Sequence, residues 1–219
     1  MIFRLDGDMK VQDIASVSLQ TIWKLTFKYR HAQLNHMDVD WLISLLRNPY
    51  DARSQFLLGE VYAERIYVGK PGSSNPYDPV LEPSDGKALE YYLRSAEQGY
   101  GKAMFRIGQM YEKGTHPRGM STDRAMEWYL RGSDRGDPDS MYAVGRMYHL
   151  GNGVYQSYEK AMEWYRKAAE LGHAEACNKI GKMYETGAYP EQSAEEAERW
   201  FARAAGNGYQ KRKSVSIML

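Results

Sequence analysis

The chain has 219 residues, 29 basic against 28 acidic side chains, 18 Tyr, 5 Trp, 12 Met and one cysteine. A net charge of +1 excludes a global field that would draw nucleic acid, an anionic membrane or an acidic substrate, so partner choice rests on local charge. The single Cys177 excludes an internal disulfide and any multi-cysteine metal site, and it suits a reducing compartment. No run of about 18 apolar residues exists to span a membrane. The opening, Met1 to Asp8, carries acids and lacks the apolar run of a signal peptide, so a cytoplasmic location is expected provided that this start is native.

Residues 1–50 come first and share no pattern with the remainder. From Val11 to Tyr29, Val11, Ile14, Ala15, Ser18, Ile22, Leu25 and Tyr29 fall at helical spacing, and Asp40 to Leu46 reads as a second, shorter helix. The β-branched and aromatic content of Val17 to Tyr29 leaves a strand open as an alternative. The segment is either a cap that hides the open face of the first repeat or a partner-binding arm.

From about residue 51 the sequence repeats itself. Leu58-Gly59 recurs as Ile107-Gly108, Val144-Gly145 and Ile180-Gly181, each followed three residues after the glycine by Tyr62, Tyr111, Tyr148 and Tyr184. Lys87-Ala88 through Tyr91-Tyr92 recurs in phase as Arg124-Ala125 through Trp128-Tyr129, Lys160-Ala161 through Trp164-Tyr165, and Glu196-Ala197 through Trp200-Phe201. Gly99, Gly136, Gly172 and Gly208 close the units. Successive glycines of the first block stand 49, 37 and 36 residues apart, so the unit is 36 residues with 13 extra in the first repeat and one in the second.

Each unit reads as two short helices, as the spacing of Ala103, Ile107, Met110, Tyr111 and Gly114 illustrates. Ser84, Ser121, Ser157 and Ser193 stand where a second helix needs an N-cap, and Ser193 with Glu196 spells a full capping box. The closing glycines suit left-handed C-terminal caps. Small residues let neighbouring helices approach, and Trp128, Trp164 and Trp200 are expected to fill the gap as core side chains.

The first repeat carries an insertion, 69–83, whose four prolines and two glycines forbid a helix. It is expected to be an extended loop, either idle or a recognition element through Tyr77 and Leu81. The tail, 211–219, is basic and then apolar, and either docks on the last repeat or hangs free.

Repeat three carries the fullest pattern, with Val144-Gly145, Tyr148, Gly151-Asn152-Gly153, Lys160-Ala161, Trp164-Tyr165, Ala168-Ala169 and Gly172. In these residues the chain resembles the Sel-one-like repeat family, relatives of the tetratricopeptide repeat, over about 51–210. Departures are Tyr91 in place of Trp, Gly132-Ser133 in place of Ala-Ala, and Tyr189-Pro190 in the fourth loop. The resemblance implies an all-α, right-handed α-solenoid of four helix-turn-helix repeats, about 51–99, 100–136, 137–172 and 173–208, with residues 1–50 as a non-repeat N-terminal cap.

The resemblance also implies that first helices line the concave side. Three rows run along that face: Leu57, Arg106, Ala143 and Lys179; Glu60, Gln109, Arg146 and Lys182; Glu64, Lys113, Leu150 and Thr186. An acidic first rung leads into a basic stripe, which is either a solvated face or a groove for an acidic segment. Partner contacts are therefore expected at Glu60, Glu64, Arg106, Gln109, Lys113, Arg146, Lys179 and Lys182, with Tyr77 added from the insertion. A further row, Ala63, Glu112, His149 and Glu185, sets a histidine between carboxylates, but successive repeats stand too far apart for metal bonds of about 2 Å. No phosphate loop, nucleophile elbow or zinc motif occurs. The expected function is a scaffold or adaptor that binds a protein, with an immunity protein that neutralises a toxic effector as the alternative and an enzyme ranked last. No cofactor, metal, nucleic acid, membrane span or small-molecule substrate is expected.

Overall fold

The computed structural model describes residues 51–63, 68–69, 79–81, 84–188 and 192–209. The expected N-terminal helices, Glu64, Tyr77, the fourth-loop Tyr189-Pro190 and the 211–219 tail lie outside the described residues. In chain order the elements are α1 (Ala52–Ala63), β1 (Val68–Gly69), β2 (Pro79–Leu81), α2 (Asp85–Glu97), α3 (Gly101–Lys113), α4 (Thr122–Asp134), α5 (Pro138–Leu150), α6 (Tyr158–Glu170), α7 (Ala174–Thr186) and α8 (Ala194–Gly206). The chain divides into two compact units, 1–120 and 121–219. Helices α1, α2 and α3 belong to the first, and α4 to α8 to the second. The insertion is not wholly loop: β1 and β2 pair antiparallel with Val68 opposite Leu81 and Gly69 opposite Pro79. Among the described residues no helix is long and apolar enough to cross a membrane.

The helix borders follow from side-chain chemistry at fixed positions. Ser84, Ser121, Ser157 and Ser193 each accept the backbone N–H three residues on, which satisfies one orphan donor of a second helix. First helices start differently: Asp51 accepts the Ser54 N–H at 2.7 Å, Asp137 the Ser140 N–H at 2.8 Å, and His173 Nδ1 the Ala176 N–H at 3.1 Å. The capping box at Ser193 is only half made. The Ser193 N–H donates to the Tyr184 carbonyl at 3.0 Å, and the Glu196 carboxylate accepts from Arg199 instead. The same tether joins Ser84 to Tyr62 at 3.1 Å and Ser157 to Tyr148 at 2.9 Å. A bond between the helices of one repeat thus outcompetes the local box. Gly99, Gly136, Gly172 and Gly208 all have φ between 77° and 87°, the left-handed region that a Cβ resists.

The core is built on one contact between the helices of a repeat. A Cβ on Gly145 would lie 2.7 Å from the Tyr165 ring, and one on Gly181 would lie 2.6 Å from the Phe201 ring. Tyr92 lies equally close to Gly59. Tyr92, Tyr129 and Tyr165 are at most 1% exposed, and Ala88, Ala125, Ala161, Ala168 and Ala169 are fully buried beside them. The tryptophans do not fill this gap. Trp128, Trp164 and Trp200 are partly exposed and carry a cation over the ring three residues on, with Arg131 and Lys167 at 4.0 Å and Arg203 at 5.2 Å. Tyr91 pairs in the same way with Arg94 at 5.3 Å. Adjacent residues point about 100° apart on a helix, so only one of each aromatic pair can face the glycine.

Two consequences are measurable by chemical denaturation. Tyr165→Ala is expected to cost about 3–5 kcal/mol, as for other large buried aromatics, and clearly more than Trp164→Ala. Gly145→Ala, which forces a methyl against that ring, is expected to cost about 1–3 kcal/mol. A Trp164→Ala loss equal to that of Tyr165→Ala would contradict this packing.

Candidate protein-binding clefts

Exposure differs among the equivalent positions of the first helices. In the first row Leu57 and Ala143 are buried while Arg106 and Lys179 are partly exposed. In the second, Glu60 is buried, Gln109 and Arg146 are partly exposed and Lys182 is exposed. In the third, Lys113, Leu150 and Thr186 are exposed. Exposure therefore rises from the first row to the third.

In the first unit a cavity of about 270 Å³ is lined by Glu60, Asp85, Tyr92, Arg106, Gln109 and Lys113, among others. Four residues expected at a partner contact thus share one cleft. Two of them are already engaged with each other. Arg106 Nε and Nη2 donate to the two Glu60 carboxylate oxygens at 2.7 and 2.6 Å, and the Tyr92 hydroxyl donates to the same carboxylate at 2.6 Å. Arg106 Nη1 also donates to Gln109 Oε1 at 3.0 Å. A fully buried carboxylate is tolerated because a bidentate guanidinium and a hydroxyl replace its water. Glu60 is consequently closed from within, and Lys113, Gln109 and Asp85 remain among the lining.

In the second unit the matching positions hold different chemistry. Arg146 follows Gly145, as Glu60 follows Gly59, and Lys179 stands where Arg106 stands. The Tyr165 hydroxyl is buried and has no hydrogen-bond partner, in contrast to that of Tyr92. Burial pushes the Tyr165 phenol upward, and Arg146 opposes the shift. Tyr142, whose ring lies 5.6 Å from that of Tyr165, is pushed up to about 12, first by burial and then by Glu175. His149 Nδ1 is likewise buried without a partner, and burial together with the Lys179 charge lowers its pKa. Sequence reasoning missed Tyr92, Tyr142 and Tyr165 as cleft groups. Tyr92 and Tyr165 stood in the visible aromatic repeat, but which hydroxyl meets a charge was not readable, and Tyr142 stood in no repeat.

The remaining chemistry-bearing side chains have structural roles. His173 accepts the Ala176 N–H on Nδ1, which leaves its proton on Nε2, 3.2 Å from an Asp139 carboxylate oxygen. His116 accepts the Arg118 N–H at 3.0 Å and stacks on Tyr111 at 3.8 Å. Cys177 is buried, and burial raises its thiol pKa, the opposite of an activated cysteine. Among the described residues no three His, Cys, Asp or Glu side chains could jointly hold a metal.

Removing one partner of the Glu60 clamp isolates its contribution. Arg106→Ala leaves a buried carboxylate without its cation and is expected to lower stability by about 3 kcal/mol. Lys182→Ala, at an exposed position, is expected to shift it by no more than about 0.5 kcal/mol. Equal melting temperatures for the two variants would show that the clamp contributes nothing.

Comparison with known proteins matches this architecture. The Sel1 repeat model fits residues 78–100, 101–137, 138–173 and 174–209, more than half of the chain. The structure is similar to that of a Sel1 repeat protein from Oxalobacter formigenes, with a TM-score of 0.66 and 24% identity over 89% of this chain and 75% of that one. It is also similar to c5321, a protective antigen of uropathogenic Escherichia coli displaying an SLR fold, with a TM-score of 0.62 and 23% identity. That likeness covers 92% of this chain and 42% of the antigen, so the chain spans less than half its length. No match was found among curated proteins. The four consecutive matches, the last three each spanning a helix-turn-helix unit, place the fold among all-α repeat solenoids, and the chain belongs to the Sel1 repeat family.

Proposed function

We propose that this protein is a non-enzymatic binding scaffold that takes an acidic segment of another protein on the first-helix face of residues 138–186. Sel1 repeats generally mediate protein–protein interaction. The observation that carries the finer reading is the change in charge along the first-helix face. The acid at Glu60 is neutralised inside its own cleft, whereas α7 presents Lys179 and Lys182 at the first-helix positions where α1 carries Leu57 and Glu60. Aligned cations of this kind speed encounter with an acidic partner and select against a basic one. The histidines and the cysteine favour the same reading, because His116, His173 and Cys177 serve caps, stacking and packing.

The test reverses charges that carry no structural duty, and Arg106 is unsuitable because it clamps Glu60. The double variant Lys179→Glu with Lys182→Glu is expected to lose at least tenfold in affinity for the proteins captured by the parent chain, as read by cross-linking and mass spectrometry. Its melting temperature is expected to stay near the parent's, since exposed substitutions shift stability by about 0.5 kcal/mol or less each. Raised salt is expected to mimic the variant, because charges beyond about 8 Å are screened at physiological ionic strength. Unchanged capture and salt dependence would overturn the reading. One partner held at nanomolar affinity would favour an immunity role, and several held loosely an adaptor.

A further inference from the structure

The loop that joins α5 to α6, residues 151–157, is held in one shape. Gly151 and Gly153 have φ of 70° and 72°, the Asn152 N–H donates to the Met147 carbonyl at 3.0 Å, and the Ser157 N–H donates to that of Tyr148 at 2.9 Å. The Gln156 side-chain amide adds a bond to the His149 carbonyl at 2.8 Å. Gly153 sits against the start of α4, where a Cβ would lie 2.7 Å from the Thr122 side chain. From this fixed turn Tyr155 stands out with 97% of its surface exposed, and it makes no hydrogen bond and no ring contact among the described residues. The repeat does not require an aromatic there, since the fourth repeat carries Glu191 at the same distance from its glycine.

Beside the loop a cavity of about 630 Å³ is lined by Tyr148, Gly151, Gly153, Val154, Tyr155 and Lys160. Leu150 and Tyr158, which bracket the loop in the chain, are exposed as well, so apolar surface gathers around one turn. Lys160 is the one charged residue of the described lining. Its ammonium lies 5.3 Å from the Tyr148 ring centroid and pairs with no carboxylate among the described residues. The polar side-chain groups of the lining are thus two phenols and an ammonium, which are donors with no obligate acceptor among them. A matching ligand presents compact apolar rings and bare acceptors. Proline does both, because its ring packs on aromatic faces while its peptide unit offers a carbonyl and no N–H, and aromatic-lined grooves take such segments in a preset extended helix. A carboxylate next to the proline complements Lys160, and a cation there is repelled. A loop already held by its own hydrogen bonds loses little freedom on binding.

We infer that the loop between α5 and α6 is a second contact surface, a docking site for a segment of a partner protein in which proline stands beside an aspartate or glutamate. The proline ring packs against Tyr155 and Tyr148, and the carboxylate pairs with Lys160. The site goes beyond the first-helix reading above and uses neither Lys179 nor Lys182. Acid alone is not held there, because Lys160 is exposed and an exposed ion pair contributes little without the ring contact.

The full chain can be titrated at physiological ionic strength with a fluorescein-labelled dodecapeptide of repeating Pro-Pro-Glu. Dodecapeptides of repeating Pro-Pro-Lys and Gly-Leu-Glu and a decaglutamate serve as controls. The Pro-Pro-Glu peptide is expected to bind at least about tenfold more tightly than the Pro-Pro-Lys and Gly-Leu-Glu peptides, the scale of one good anchor. Tyr155→Ala removes only an exposed ring, so it is expected to keep the parent's melting temperature and to weaken the Pro-Pro-Glu peptide about tenfold or more. The same variant is expected to leave decaglutamate binding unchanged. Lys160→Gln is expected to erase the preference for Pro-Pro-Glu over Pro-Pro-Lys. Parental Pro-Pro-Glu affinity in Tyr155→Ala, an undiminished preference in Lys160→Gln, or equal or tighter binding of the Gly-Leu-Glu peptide would each overturn the site. The double reversal Lys179→Glu with Lys182→Glu separates the two surfaces. If it abolishes protein capture while Tyr155→Ala has no effect on the Pro-Pro-Glu peptide, the loop site fails and the first-helix reading stands; if Tyr155→Ala alone has its effect, the first-helix reading fails and the loop site stands.

Discussion

The contact between an aromatic ring and a helical glycine sets the geometry of the first, third and fourth repeats. At Gly59, Gly145 and Gly181 the ring of Tyr92, Tyr165 or Phe201 occupies the space that a Cβ would need. The two helices can approach this closely only where one lacks a side chain, and the buried alanines beside the ring extend the approach along the second helix. The serine tether then fixes the loop between them, since Ser84, Ser157 and Ser193 donate their N–H groups to Tyr62, Tyr148 and Tyr184. Packing and capping therefore use the same short list of positions, which is why one sequence pattern suffices to define the unit.

The same contact decides where chemistry can sit. The ring seated on Gly59 brings the Tyr92 hydroxyl to Glu60, the residue that follows the glycine, and the equivalent positions of the later repeats hold Gln109, Arg146 and Lys182. With Glu60 the hydroxyl and the next repeat's arginine are satisfied internally and the cleft contributes to stability. With Arg146 at that position the Tyr165 hydroxyl has no acceptor. The position after the glycine thus changes its chemistry from repeat to repeat without altering the scaffold that presents it. Function in this fold depends on such sites rather than on the repeat itself.

Much of this was legible in the sequence because the repeat is written several times in phase. The serine N-caps, the left-handed closing glycines and the burial of Ala103, Ile107, Met110 and Tyr111 all follow from local spacing. The errors lie where two residues satisfy the same local rule. Trp164 and Tyr165 both suit a core helix, but only the ring facing Gly145 is buried, and the tryptophan instead lies under Lys167. Ser193 and Glu196 suit a capping box, but a carbonyl from the preceding helix takes the donor. The Glu60–Arg106 pair was hidden for another reason: 46 residues separate its members, and each looked like a solvated surface charge. The β1–β2 ribbon was likewise out of reach, because its strands are short and the intervening prolines read as loop.

The central claim is that the first-helix face of residues 138–186 takes an acidic segment of a partner through Lys179 and Lys182, while the acid of the first unit, Glu60, is satisfied by Arg106. Lysine acetylation footprinting of the full chain, with and without bound decaglutamate, tests it most directly. The account predicts that Lys179 and Lys182 lose reactivity on binding while Lys160 and Lys167, which lie over Tyr148 and Trp164 on the second-helix side, react as before. Protection confined to Lys160 and Lys167, or none at any of the four, would contradict it.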